Sequence, residues 1–276
     1  RKLASNSVTV TKVKRFMLIR VRFSKLGSLK FIGHLDVMRY FQKVLSRSGL
    51  PVKYSQGFHP HQILSFASPL GVGLTSDGEY LDFETEEELS KKNGFDALSQ
   101  AVTEGFSISE VTILEPRVLN VKKMSAMALV DSADYLIYLK SGTVESEKAA
   151  FEQATKAWME QEEIRITKKT KTSEKEMDIK PYIYHYAFSF DEFLAGHALK
   201  DEYKAAVRCS IPQDKAPACY LHLSAGSAMN LKPETILENI LANGTFLWKT
   251  EDFALHRLEM YHADGKGNWI PLWDIR

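Results

Sequence analysis

The sequence predicts an α+β protein made of two ferredoxin-like (βαββαβ) units in tandem, the second elaborated. Three observations predict it. Strand-like and helix-like periodicities follow one another as β-α-β-β-α-β over residues 17–114, and a comparable order starts again near residue 134. At 276 residues, with 44% hydrophobic and 11% aromatic content, the chain is long for one small domain and rich enough for ordinary cores. A connector-like stretch, 116–132, separates the two runs. The expected boundaries are 15–115 for an N-terminal unit with a basic surface and 133–276 for the elaborated C-terminal unit.

The elements follow in order. Met17 to Phe23 alternates apolar and basic residues, the period of a half-buried strand, with Met17, Ile19, Val21 and Phe23 inward and Arg20 and Arg22 outward. Leu18 breaks the alternation, and a turn follows at 25–28. Residues 33–48 read as a helix with Leu35, Met38, Phe41 and Leu45 near one face, ended by Gly49-Leu50-Pro51. Residues 52–59 and 63–68 read as extended, broken by Gly57 and Pro60. Residues 79–85 alternate as a strand, 86–105 have helical spacing, and 106–114 form the last strand. In the second unit a strand is expected at 134–139, a helix at 145–161 and a hairpin at 164–170 and 174–180. Strands at 203–211 and 219–224, a helix at 233–243 and a strand at 255–261 follow. Pro233 suits the first turn of that helix and Gly244 its end. The apolar tail (Trp269, Ile270, Leu272, Trp273) is a docking strand or a partner-binding end.

Charge is distributed unevenly. The first 62 residues hold 13 Lys/Arg and one acid, Asp36, whereas the other 214 carry 23 bases and 34 acids. A basic face of this kind invites phosphate, unless acids from later segments fold back over it. Arg39, Lys43 and Arg47 recur every four residues on the first helix, either as a solvated face or as a track for a phosphate backbone. Lys25, Lys30 and Lys53 would add phosphate contacts.

The densest candidate site is Tyr54-Ser55-Gln56-Gly57-Phe58-His59-Pro60-His61. Rings stack on unpaired bases and amides or imidazoles read base edges, so Tyr54, Gln56, Phe58, His59 and His61 are the expected base contacts. The bland alternative is a surface loop anchored in the core by Phe58. His34, at the helix entry, is placed with the RNA-binding set. An acid–base endoribonuclease using His34 or His59, assisted by Tyr54 or Lys30, is the enzymatic alternative. His59 and His61 would need His34 or Asp36 to complete a metal site, and no spacing here is diagnostic of one. The loop 68–74 lacks the third glycine and following helix of a dinucleotide fingerprint and reads as a tight turn. Lys168-Lys169-Thr170-Lys171 is a second phosphate contact or a lysine-rich hairpin tip.

Neither a GxxxxGK[ST] loop, a GxSxG elbow nor an HExxH motif occurs. Cys209 and Cys219, ten residues apart, make neither a disulfide framework nor a three-cysteine cluster site. No apolar run reaches the ~18–20 residues of a membrane span, and residues 1–12 lack the apolar segment of a secretory signal. The expectation is a cytoplasmic chain, off the membrane, with no metal or cofactor of its own and no complete catalytic motif.

The stretch Phe23-Ser24-Lys25, Phe31-Ile32-Gly33-His34-Leu35-Asp36, Arg39, Gly49-Leu50-Pro51 and Tyr54 to Pro60 resembles a known family, the radical-SAM-linked bacterial domain of unknown function. The likeness continues through Leu64 to Ala67, Pro69-Leu70, Gly73, Ser76 and Glu79-Tyr80-Leu81-Asp82, covering about residues 16–200 in all. His59 stands where the family usually has Asn, and Asp178-Ile179-Lys180-Pro181 matches its second, weaker motif. Members are encoded beside or fused to a radical S-adenosylmethionine protein, often near ribonuclease and ribosomal-protein genes. The resemblance implies a cytoplasmic, RNA-binding accessory of such an enzyme, acting near transfer or ribosomal RNA, with the cluster chemistry on the other chain. The alternative of another class is a protein-interaction subunit without nucleic acid. The strand–helix order is also similar to the duplicated ferredoxin-like folds of CRISPR repeat-processing endoribonucleases, in topology alone.

Overall fold

A computed structural model describes residues 17–103, 105–114, 125–140, 145–169, 174–211, 217–227 and 229–275. It is a mixed α+β structure with one large mixed sheet and, among the described residues, seven α-helices.

In the first half the elements are β1 (Met17–Lys25), α1 (His34–Arg47), β2 (Leu64–Phe66), β3 (Thr75–Thr85), α2 (Lys91–Ala101) and β4 (Phe106–Leu114). In space the strands run β4-β1-β3, with β2 on the free edge of β3, and all these pairings are antiparallel. Ile19, Val21 and Phe23 of β1 pack with Val37, Phe41, Val44 and Leu45 of α1 and Leu98 of α2. The two helices therefore cover one face.

The second half holds α3 (Ala126–Leu129), β5 (Ser132–Leu139), α4 (Glu145–Met159) and the separate hairpin β6 (Arg165–Lys169) and β7 (Glu174–Asp178). Then come β8 (Ile183–Ala187), α5 (Phe190–Gly196), α6 (Asp201–Lys204), β9 (Pro217–Ser224), α7 (Pro233–Ala242), β10 (Phe253–Ala263) and β11 (Trp269–Pro271). The spatial order is β10-β5-β9-β8, again antiparallel throughout. Alternate residues of β5 serve two cores. Tyr135, Ile137 and Leu139 pack with Phe151 and Trp158 of α4 and Ile236, Leu237 and Ile240 of α7. Leu136 packs with Phe193 of α5 and Tyr203 of α6.

The two halves share the sheet. β10 joins β3 in parallel, through only His256↔Thr75 and Arg257↔Ser76, while β2 takes the other end of the same edge at Leu81–Phe83. Gly78 sits at this seam. A Cβ there would lie 2.6 Å from the Leu258 carbonyl oxygen and 3.0 Å from the Glu259 Cα, opposite the irregularity in β10 between Arg257 and Glu259. Only glycine lets the two backbones approach this closely.

Several expectations are corrected. Arg20 and Arg22 do not face water. Their face of β1 lies under the C-terminal segment and the second half, and they are 1% and 5% exposed. Leu35, expected in the core, is 61% exposed, because α1 buries Val37, Phe41, Val44 and Leu45 instead. Residues 52–59 form isolated bridges rather than a strand. The strand expected at 203–211 is absent: α6 ends at Lys204, and the Ser210 amide donates to the Asp77 carboxylate at 2.6 Å instead of to a ladder. The apolar tail docks on this chain, with β11 pairing β10. The hairpin tip with Thr170 and Lys171, and most of the 116–132 connector, lie outside the described residues.

Candidate nucleic-acid interface

α1 turns Val37, Phe41, Val44 and Leu45 to the core, which leaves Arg39, Lys43 and Arg47 on its outer side. Four-residue spacing stacks them in one row spanning ~12 Å of helix. Beside the helix, residues 53–63 leave the sheet and return. The Ser55 amide donates to the His61 carbonyl at 2.8 Å and the Ile63 amide to the Lys53 carbonyl at 2.9 Å. Gly57, with φ +122°, makes the reversal at the tip, a conformation other residues rarely adopt. The Ser55 hydroxyl contacts His61 Nδ1 at 2.8 Å. Gln62 Nε2 reaches the Ser46 hydroxyl on α1 at 3.1 Å and the Tyr54 hydroxyl at 3.4 Å, so it ties loop to helix.

Between them opens a cleft of about 610 Å³. Its helix wall is Arg39, Gln42, Lys43, Ser46 and Arg47; its loop wall is Tyr54, Pro60, His61 and Gln62. No carboxylate lines it. Arg39 lies 3.5 Å from Asp36, an exposed contact of little energetic weight. Arg47 donates to the Ala101 carbonyl at 2.7 Å, at the negative end of α2. Lys43 makes no ion pair among the described residues. The buried Gln62 side-chain oxygen has no partner, leaving an acceptor at the cleft's loop wall.

The cleft thus unites five of the expected residues: Arg39, Lys43, Arg47, Tyr54 and His61. Gln56, Phe58 and His59 lie exposed at the loop tip, outside the cleft lining, and Phe58 is fully exposed rather than anchored in the core. Lys53 pairs with Glu84 at 2.6 Å, so its charge is answered. The Lys30 ammonium lies 5.0 Å over the Phe31 ring. Lys25 is corrected outright. It is 2% exposed, its ammonium donates to the Ile32 carbonyl at 3.2 Å, and burial pushes its pKa down against the pull of Glu79. A lysine so enclosed meets no phosphate. His34 is edge-on to Phe66 at 5.2 Å and lines a separate narrow pocket with Lys25 and Glu79, so the pairing of His34 with the loop histidines is not made. Among the described residues, His59 and His61 belong to no cluster of three ligand-type side chains.

A buried ionic layer at the seam escaped the sequence reading. Arg20 grips Asp82 with two nitrogens at 2.9 and 3.0 Å and donates to the Leu272 carbonyl at 2.9 Å. Arg22 pairs with Glu259 at 2.7 Å, and the Tyr80 hydroxyl donates to the same carboxylate at 2.5 Å. Burial pushes the Glu259 carboxyl above its ordinary range, with Arg22 opposing the rise. Arg257 donates to Glu79 at 2.9 and 3.1 Å. His256 bridges Thr75 at 2.8 Å and Asp77 at 2.9 Å. Burial alone would raise the Asp77 carboxyl; the bonds from His256 and Ser210 outweigh it and hold it below its ordinary value. Period-two alternation in β1 was the available signal, but it marks two faces and does not say which one is wet.

The class defined so far is an α+β protein with a shared central sheet and one exposed basic cleft. The chain belongs to the family described as an uncharacterized protein conserved in bacteria (DUF2344), whose model matches residues 18–233. No curated protein matches it. Among solved structures, a chain in the crystal structure of a Cbf5-Nop10-Gar1 complex is similar at TM-score 0.39 and 12% identity, over 89% of this chain and 49% of that one. This chain therefore spans about half the length of that structure's chain, and so distant a likeness carries no argument. No helix among the described residues is long and apolar enough to cross a membrane.

Proposed function

We propose that the protein is an RNA-binding accessory of a radical S-adenosylmethionine enzyme, taking a transfer or ribosomal RNA strand into the cleft between α1 and the 53–63 loop. The observation that carries this reading is the convergence of Arg39, Lys43 and Arg47 with Tyr54 and His61 on one cleft that no carboxylate lines. Cations that follow a phosphate backbone beside an aromatic ring are the chemistry of single-strand binding. The half-exposed Tyr54 and the fully exposed Phe58 supply stacking surfaces. The resemblance to the radical-SAM-linked family supports the partner. Within each half the strand order is fourth-first-third-second, which supports reading both as ferredoxin-like units.

Binding to structured RNA should weaken steeply with salt, and reversing Arg39, Lys43 and Arg47 to Glu together should abolish it. Unchanged affinity in that variant would remove the cleft from the function. A second reading rests on its own observation. Phe31, Leu35 and Val72 are 69%, 61% and 62% exposed, and Val72 approaches Gly33, between Phe31 and Leu35 in the chain, so this end of α1 offers an apolar surface for a protein partner. Co-purification with the radical enzyme from nuclease-treated lysate, lost in Leu35→Glu, would support a protein contact there.

A further inference from the structure

The interior of the second half holds a polar cluster far from the charges of the seam. Asp134 on β5, His197 just after α5 and His222 on β9 bring a carboxylate oxygen and two imidazole nitrogens within 4.8 Å of one another. They are 0%, 3% and 1% exposed. His197 Nε2 lies 3.1 Å from one Asp134 oxygen, and the Tyr261 hydroxyl donates to the other at 2.6 Å. The two imidazoles lie 4.3 Å apart, centroid to centroid, and the Trp269 ring closes over His222 at 4.8 Å. His197 Nδ1 and His222 Nε2 are buried without a partner, and so is Nε2 of neighbouring His185, whose ring is 6.5 Å from His197. Buried polar atoms are nearly always satisfied, so three orphaned imidazole nitrogens around one carboxylate point to a missing positive centre.

We propose that Asp134, His197 and His222 bind a divalent transition-metal ion of the Zn²⁺ class, with His185 as the fourth ligand. Imidazole and carboxylate donors are the set this class takes. Tyr261 does for Asp134 what an outer-sphere partner does for a metal-bound carboxylate: it fixes the oxygen that does not ligate. Bonds of about 2.0–2.2 Å require the donors to close by about 1 Å from their present spread. The site is enclosed on every side, which suits a structural ion rather than one with an open coordination position. Such an ion would fasten β8, β9 and the chain after α5 onto β5.

The test is elemental analysis of the full chain, made without a histidine tag and dialysed against Zn²⁺ and then metal-free buffer. About one ion per chain is expected, with a melting temperature that falls on chelation. His222→Gln and Asp134→Asn should each weaken the ion's binding by at least about tenfold, while the double variant His59→Gln, His61→Gln keeps it. Wild-type protein without a stoichiometric ion, or full occupancy retained in both ligand variants, overturns the proposal. The wild-type measurement decides even if a ligand variant fails to fold.

Discussion

Two groups of bases lie within thirty residues of each other and meet opposite fates. Arg20 and Arg22 sit on a strand in the middle of a sheet, where burial forces each to find a carboxylate: Asp82 on β3 for one, Glu259 on β10 for the other. Arg39, Lys43 and Arg47 sit on the outer row of a helix, where water already satisfies them and no carboxylate lines their cleft. The first group is locked into the fold; the second remains available to a ligand. The overall imbalance of charge in the first 62 residues is therefore partly cancelled by later acids and partly real.

The sharpest way to break the contrast is at the seam. Glu259→Ala leaves Arg22 charged and enclosed without its carboxylate, and unfolding in urea should show a loss of about 3–5 kcal/mol. A loss under about 1 kcal/mol would mean that this pair behaves like a surface contact and that the distinction between the two groups is false. A smaller effect is expected with acid. Asp77 is held below its ordinary carboxyl value in the fold, whereas the unfolded chain would titrate near 4. Between those two values the unfolded state binds more protons, so stability is complete above pH ~4 and falls as pH drops through the folded value. Asp77→Asn should flatten that limb of the stability–pH curve; an unaltered limb would remove Asp77 from the seam's energetics. The mildest outcome is expected at the cleft. Lys43→Ala should leave stability within about 0.5 kcal/mol while lowering the salt slope of RNA binding by about one. A large loss of stability there would mean that Lys43 supports the fold rather than a ligand.

Much of the architecture was legible because it is written in local periodicity. α1, α4, α7, β4 and β5 lie close to the expected ranges, since each carries an apolar stripe of unambiguous period. β8 escaped because its sequence, Ile-Tyr-His-Tyr-Ala, alternates poorly and is only half-buried at most positions. The basic row of α1 could be read from spacing alone, and so could the aromatic loop. Their meeting in one cleft could not, because it depends on Gln62 bonding to Ser46 across the fold. The seam was illegible for a related reason: Arg20 finds its acid 62 residues on, and Arg22 finds its own in the last long strand. Nor does any spacing unite Asp134, His197 and His222, which three separate segments deliver to one point.

The seam also fixes an order of events during synthesis. β10 supplies Glu259 and Arg257 to strands made nearly two hundred residues earlier. A nascent chain still short of those residues carries β3 with half an edge unpaired and Arg22 with no counter-charge. Its first half can collapse around Phe23 and Phe41, yet it cannot finish until the last strand leaves the ribosome. Arrest or proteolytic clipping just upstream of β10 would therefore yield a sticky, unfinished sheet rather than a truncated but sound domain.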